Sequence, residues 1–158
     1  DDGALLIRVE QVGEARQVVR LSERRRKDTA QRSTASTGLR DRGCVGHIAD
    51  EAMAAAMHGC GDRLAPNESE RDHTGLTATP SQSVHPPRIV QAPVAFDCVL
   101  HETLETPSRY VFIGRVQWLA VRDGLVDTEK WRVRMQDFVP VARLGAHFYI
   151  NCRKRLAR

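Results

Sequence analysis

Every aromatic side chain in this sequence lies at or beyond Phe96: Phe96, Tyr110, Phe112, Trp118, Trp131, Phe138, Phe148 and Tyr149. Aromatic residues bring the largest buried areas to a core. The fold must therefore be organised around the segment that holds them, while the front builds its share from Leu, Val, Ile, Met and Ala. The same segment alternates: Val94, Phe96, Cys98 and Leu100 are separated by Ala95, Asp97, Val99 and His101. That is the period of a strand whose successive side chains point to opposite faces. The run 109–122 adds Tyr110-Val111-Phe112-Ile113, then Val116, Trp118, Leu119 and Val121, with Gly114 predicting a bulge or bend. Asp123-Gly124 is a hairpin signal, followed by Leu125-Val126 and by Trp131, Val133 and Met135 alternating with Arg132 and Arg134. Short strands joined by tight turns over 93–149 predict an antiparallel barrel or sandwich.

The front is less regular. Leu5-Leu6-Ile7 and Val18-Val19 read as strand pieces separated near Gly13. The stretch 31–46 is Ser, Thr, Arg, Asp and Gly, with only Leu39, Cys44 and Val45 offering apolar bulk, and reads as loop or disorder. Asp50 is the expected N-cap of an Ala-rich helix ending at Gly59. Met53 and Met57, four apart, share one face and are expected to pack on the sheet. His58 is expected as a favourable charge at the helix end. Pro80, Pro86, Pro87 and Pro93 make 66–93 an extended crossing over the surface.

A chain of 158 residues is one domain by size. No apolar run reaches membrane-spanning length, and Asp1-Asp2-Gly3 does not begin a secretory signal, so a cytoplasmic protein is expected. Cys44, Cys60, Cys98 and Cys152 form no C-x-x-C pair and are expected as free thiols. The six histidines have no paired metal-ligand spacing, and no metal site is expected. Phosphate-loop, dinucleotide and serine-hydrolase signatures are absent. The net charge of +4 gathers in Arg24-Arg25-Arg26-Lys27 and Arg153-Lys154-Arg155. These runs raise nucleic acid as a partner, but no aromatic residue is interleaved with them for base stacking, and solvated charge is the simpler reading.

The wording of the chain resembles the flavin-reductase-like family of FMN-binding split β-barrel proteins. The resemblance runs through Ile48-Ala49-Asp50-Glu51-Ala52-Met53, Gly75-Leu76-Thr77, Pro80-Ser81 and Pro86-Pro87-Arg88-Ile89. It continues in Ala92-Pro93-Val94-Ala95-Phe96-Asp97-Cys98, Phe112-Ile113-Gly114-Arg115-Val116 and Val121-Arg122-Asp123-Gly124-Leu125-Val126-Asp127, and ends in Pro140-Val141-Ala142-Arg143-Leu144-Gly145 and Tyr149. In front of this block, Arg26-Lys27-Asp28-Thr29 is similar to the family's phosphate-binding R-K-D-T element.

The resemblance implies a mainly β fold with a few helices, an antiparallel Greek-key split β-barrel of the FMN-binding type. It implies one domain over 1–158, with 1–46 divergent, 47–150 the well-matched core and 151–158 a basic tail. The activity implied is that of an oxidoreductase passing hydride from NADH or NADPH to a flavin, FMN or alternatively FAD, in a homodimer. Arg26, Lys27 and Thr29 would hold the flavin phosphate, Asp28 would orient their loop, and Arg143 and Tyr149 would stand near the flavin. No dedicated catalytic acid is implied, because the cofactor carries the chemistry. Two departures bear on this. The opening segment 5–21 has no aromatic residue to line a flavin ring, which admits a non-catalytic flavin-binding or dimer-forming module as the alternative. The polar stretch 31–46 stands where the family has an Asn-Ile pair and a buried strand. A local reading-frame shift or relaxed selection would produce such a gap, and translating its coding DNA in the other two frames tests the first.

Overall fold

A computed structural model describes residues 3–8, 18–24, 42–62, 64–65, 68–105, 109–145 and 148–151, with the backbone alone described at 18–24 and 109–110. In chain order the strands and helices are β1 (Ala4–Arg8), β2 (Val18–Arg24), β3 (Gly43–Ile48), α1 (Ala54–Gly59) and α2 (Glu70–Thr74). There follow β4 (Ala78–Thr79), β5 (Arg88–Ile89), β6 (Val94–Glu105), β7 (Arg109–Arg122), β8 (Val126–Asp127), β9 (Arg132–Val133), β10 (Val141–Gly145) and β11 (Phe148–Asn151).

The main sheet is antiparallel and runs β1-β7-β6-β3, with β2 also on β7. Its axis is the hairpin of β6 and β7, the two strands that alternate most strongly in sequence. Strand β7 is 14 residues long. It is long enough for β1 and β2 to share its free edge: Ala4–Arg8 pairs with the end near Arg122, and Val18–Arg24 with the stretch from Arg115 back to Arg109. The strand pieces expected at Leu5-Leu6-Ile7 and Val18-Val19 are thus placed by one partner. The register of β6 against β7 shifts between Asp97 and Cys98 and again between Leu100 and Glu102, on either side of the Leu100–Gly114 pair. The bulges expected from Gly114 therefore flank that residue. A Cβ on Gly114 would come within 2.9 Å of the Cys98 Cβ, so the absent side chain lets the strands approach.

One core cluster, Ile7, Val94, Val121, Leu125 and Phe138, lies on one face with Leu5, Ile48, Phe96 and Leu119 packed around it. A second, Ala49, Met53, Leu76 and Ala92, joins α1 to the sheet, and Met57 packs against it as the four-residue spacing predicts. Asp50 caps its helix as expected, Oδ1 accepting from Met53 N at 3.1 Å. The first turn, Glu51–Met53, is 3-10 in form, and the α-helix proper runs Ala54–Gly59.

Four expectations change. The loop read over 31–46 gives way at its end to β3, a strand specified less by its own side chains than by pairing with β6 from Gly43↔Val99 to Ile48↔Val94; residues 31–41 lie outside the described chain. The crossing over 66–93 contains α2, which Ser69 caps by accepting from Asp72 N at 3.4 Å, and the short ladder of β4 with β5. Asp123-Gly124 does form a turn, with Gly124 at φ +78° and Leu125 N donating to Arg122 O at 3.1 Å. The chain beyond it does not fold back on β7, because both edges of β7 are already taken; β8 pairs with β9 instead. Trp131, expected on an alternating strand, sits at φ +51° and is 62% exposed.

Candidate functional site

The segment leading out of β3 is the point on which several distant parts of the chain converge. Asp50 pairs with Arg122 from the end of β7 at 2.9 Å. Glu51 N donates to Val139 O at 3.2 Å, and Val141 N to Ala49 O at 3.0 Å, which docks β10 beside the start of the helix. The hairpin of β10 and β11 then folds over α1. Tyr149 Oη lies 3.0 Å from His58 Nδ1, with the two rings edge to face at 5.8 Å. Asn151 Nδ2 donates to Glu51 Oε1 at 3.4 Å.

Arg143 and Tyr149, six positions apart in the sequence, are directly opposite residues of this hairpin. Arg143 is exposed and Tyr149 half-buried, so the pair presents a cation and a phenol on one side of the ladder. Arg26, Lys27, Asp28 and Thr29 lie outside the described residues. What is placed is their root: β2 ends at Arg24, opposite Arg109, at the far end of the main sheet's central strand from Arg122. Their residue types suit a phosphoryl group, since Arg and Lys supply charge and the Thr hydroxyl donates to its oxygens.

Beneath α1 is a cavity of about 320 Å³ lined by His47, Met53, Met57, Glu70, Leu76 and Ile89, among others. His47 Nε2 accepts from Ile89 N at 3.0 Å, which fixes the proton on Nδ1. Burial is the main cause that lowers its pKa from 6.5 to about 4; the Asp97 carboxylate opposes this shift and the Arg88 guanidinium adds to it. His47 is therefore a neutral acceptor. Asp97 is buried and accepts from Gln82 N at 2.7 Å and Ser83 N at 3.2 Å, pinning the proline-rich loop to the sheet. Cys44, Cys60 and Cys98 are free, as expected; Cys152 lies outside the described residues. Among the described residues no group of His, Cys, Asp and Glu could hold a metal ion.

Nothing in the sequence marks His58, His47 or Asp97 as participants. His58 meets a residue 91 positions away and Asp97 meets a loop 14 and 15 positions away, so no local spacing marks either.

Comparison with known proteins bears on this arrangement. A model of the flavin reductase-like domain matches residues 25–153, a span that contains both Arg26-Lys27-Asp28-Thr29 and the β10–β11 hairpin. An uncharacterized protein of Aquifex aeolicus is 28% identical over 134 residues, covering 85% of this chain and 68% of its own. The chain spans about two thirds of the length of the curated relatives it matches. Among solved structures, 2-nitrobenzoate 2-nitroreductase of Pseudomonas fluorescens superposes with a TM-score of 0.79 at 26% identity, over 99% of this chain and 73% of that one. A split-barrel protein of Shewanella frigidimarina superposes with a TM-score of 0.73 at 19% identity, over 97% and 73%, and shares the fold.

Proposed function

The chain belongs to the flavin reductase-like family and has its mainly β, split-barrel fold, and from that premise we propose that it is an FMN-binding oxidoreductase. When bound, the flavin supplies the redox chemistry, accepting hydride from NADH or NADPH. The chain's own residues bind and orient it. Arg26 and Lys27 would neutralise the phosphate, the Thr29 hydroxyl would donate to it, and Asp28 would orient their loop. The exposed Arg143 and the half-buried Tyr149 would stand near the flavin, with His58 Nδ1, 3.0 Å from the Tyr149 hydroxyl, holding that hydroxyl in place. FAD is the alternative flavin.

The observation that carries this reading is the span of the family match, residues 25–153, which includes both Arg26-Lys27-Asp28-Thr29 and the hairpin. The chain works as a homodimer in a cytoplasmic setting in this proposal. Leu144, Phe148 and Ile150 of the hairpin are more than half exposed and offer it an apolar contact surface. Among the described residues no helix is long and apolar enough to cross a membrane.

A second reading, flavin binding without turnover, is favoured by the absence of any aromatic residue before Phe96 to lie against the ring. Added FMN should turn the purified protein yellow, raise its melting temperature and permit oxidation of NADH or NADPH. If the protein shows neither colour nor a thermal shift, both readings are overturned; binding without nicotinamide oxidation would select the second. Sedimentation of the protein as a monomer would remove the dimer.

A further inference from the structure

Cys44 and Cys98 face each other across the edge of the main sheet. They are directly opposite residues in the β3–β6 ladder, so their Cβ atoms leave the same face. Leu100 N donates to Arg42 O at 2.8 Å, which makes the 42–100 pair a hydrogen-bonded one. The 44–98 pair, two residues along, is of the same kind. Such pairs have Cα atoms about 5.5 Å apart, inside the span of roughly 4.4–6.8 Å that a disulfide bridges, while their Cβ atoms, also about 5 Å apart, must draw together by roughly 1 Å, which makes the bond readily reduced. Both thiols are free.

We propose that Cys44 and Cys98 form a reversible cross-strand disulfide, with Cys44 as the attacking thiol and Cys98 as the resolving one. The asymmetry is built into the sheet. Strand β3 is the outer strand and Cys44 is half-buried, whereas Cys98 is buried on the inner strand β6, its Cβ against Gly114 of β7. The Cys98 S–H lies 3.6 Å from the Phe96 carbonyl and has Cys44 as its neighbour across the ladder. When it turns to Cys44 it stabilises that thiolate, lowering the Cys44 pKa from 9.0 to about 7 against the opposing effect of burial. The same hydrogen bond, together with burial, raises that of Cys98. An accessible thiolate beside a buried resolving thiol is the arrangement that peroxides oxidise selectively.

With hydrogen peroxide as oxidant, the Cys44 thiolate attacks one oxygen, the O–O bond breaks and hydroxide leaves, giving a sulfenic acid at Cys44. The Cys98 sulfur then displaces that hydroxyl. Its proton departs with the oxygen as water, and the S–S bond forms. The dithiol loses two electrons and the peroxide gains them, ending as two waters. The bond ties the sheet's outer strand to its neighbour across the stretch 45–97, which holds α1, the cavity and the proline-rich loop.

The test uses the intact protein, reduced and then exposed to hydrogen peroxide with dimedone present or absent, and digested without reduction for mass spectrometry. The expected product is one cross-linked peptide pair joining Cys44 and Cys98, lighter by two hydrogens and reopened by dithiothreitol. In Cys98→Ser the cross-link should vanish and a dimedone adduct at Cys44 should take its place. A dimedone adduct at Cys44 in the unaltered protein with no cross-link would overturn the proposal. So would linkage through Cys60 or Cys152, or oxidation of the pair only after unfolding. Should Cys98→Ser not fold, the unaltered protein still decides the matter, and iodoacetamide competition at neutral pH gives a second reading: Cys44 should be alkylated before Cys60, and the reverse order counts against it.

Discussion

The Arg122 guanidinium meets the Asp50 carboxylate at 2.9 Å across 72 positions of sequence, while the other carboxylate oxygen accepts from Met53 N at 3.1 Å. One side chain thus closes the end of β7 onto the start of the helix and caps that helix. The two roles differ in weight. Arg122 is 45% exposed at its side chain, so the ion pair contributes under about 1 kcal/mol. Loss of the cap costs about 1–2 kcal/mol. Asp50→Ala should therefore destabilise more than Arg122→Ala, and Asp50→Asn, which keeps an acceptor for Met53 N, should fall near the arginine variant. Urea midpoints order the three.

Removing charge from the phosphate element separates that element from the rest of the flavin site. A charge-assisted hydrogen bond contributes about 1.5–3 kcal/mol, so Lys27→Ala or Arg26→Ala should weaken FMN binding roughly tenfold or more. Riboflavin, which lacks the phosphate, should bind the variants and the parent alike. Equal losses for both ligands, measured by fluorescence quenching, would place these residues elsewhere than the phosphate.

His47 makes stability depend on pH in one direction. Its pKa in the folded protein is about 4, below the ordinary 6.5, so between those values the unfolded chain binds more protons. The contribution is complete above about 6.5 and is lost as pH falls toward 4. Its size is at most a few kcal/mol, given about 1.4 kcal/mol per pKa unit. In His47→Gln the side chain can still accept from Ile89 N but does not titrate. Denaturation followed across this window should show a shallower fall in stability for the variant.

Gly114→Ala should be costly, because the new methyl would stand 2.9 Å from the Cys98 Cβ, a backbone-anchored atom that cannot swing aside. Overpacking of this kind costs about 1–3 kcal/mol. A matched Gly124→Ala strains a positive φ but meets nothing within 4 Å. Thermal melts of Gly114→Ala, alone and with Cys98→Gly, which removes the opposing Cβ, should show less than additive loss in the double variant if the contact is the cause.

The β6–β7 axis was legible because its apolar residues alternate over long runs, and the bounds 109–122 match β7 at both ends. Asp50 was legible because capping is a local code. Strand β3 was not: Gly43 and Gly46 carry no side chain to signal burial, and the identity of the strand comes from β6 across the ladder. Trp131 misled because a period-two pattern says nothing of the left-handed residue that interrupts it. At the candidate site, the motifs Arg26-Lys27-Asp28-Thr29 and Arg143 with Tyr149 are visible as wording. The His58 contact that orients Tyr149 is not, because nothing in either neighbourhood anticipates the other.

The hairpin of β10 and β11 also sets an order of events during synthesis. Its contacts at His58 and Glu51 join residues 91 and 100 positions apart. A ribosome releases the helix long before it makes the clasp, so α1 must wait without it until Tyr149 and Asn151 emerge. Contacts of such separation form late and slowly. A chain halted even a short way before Tyr149 would carry the whole β6–β7 axis and still leave its helix unlatched.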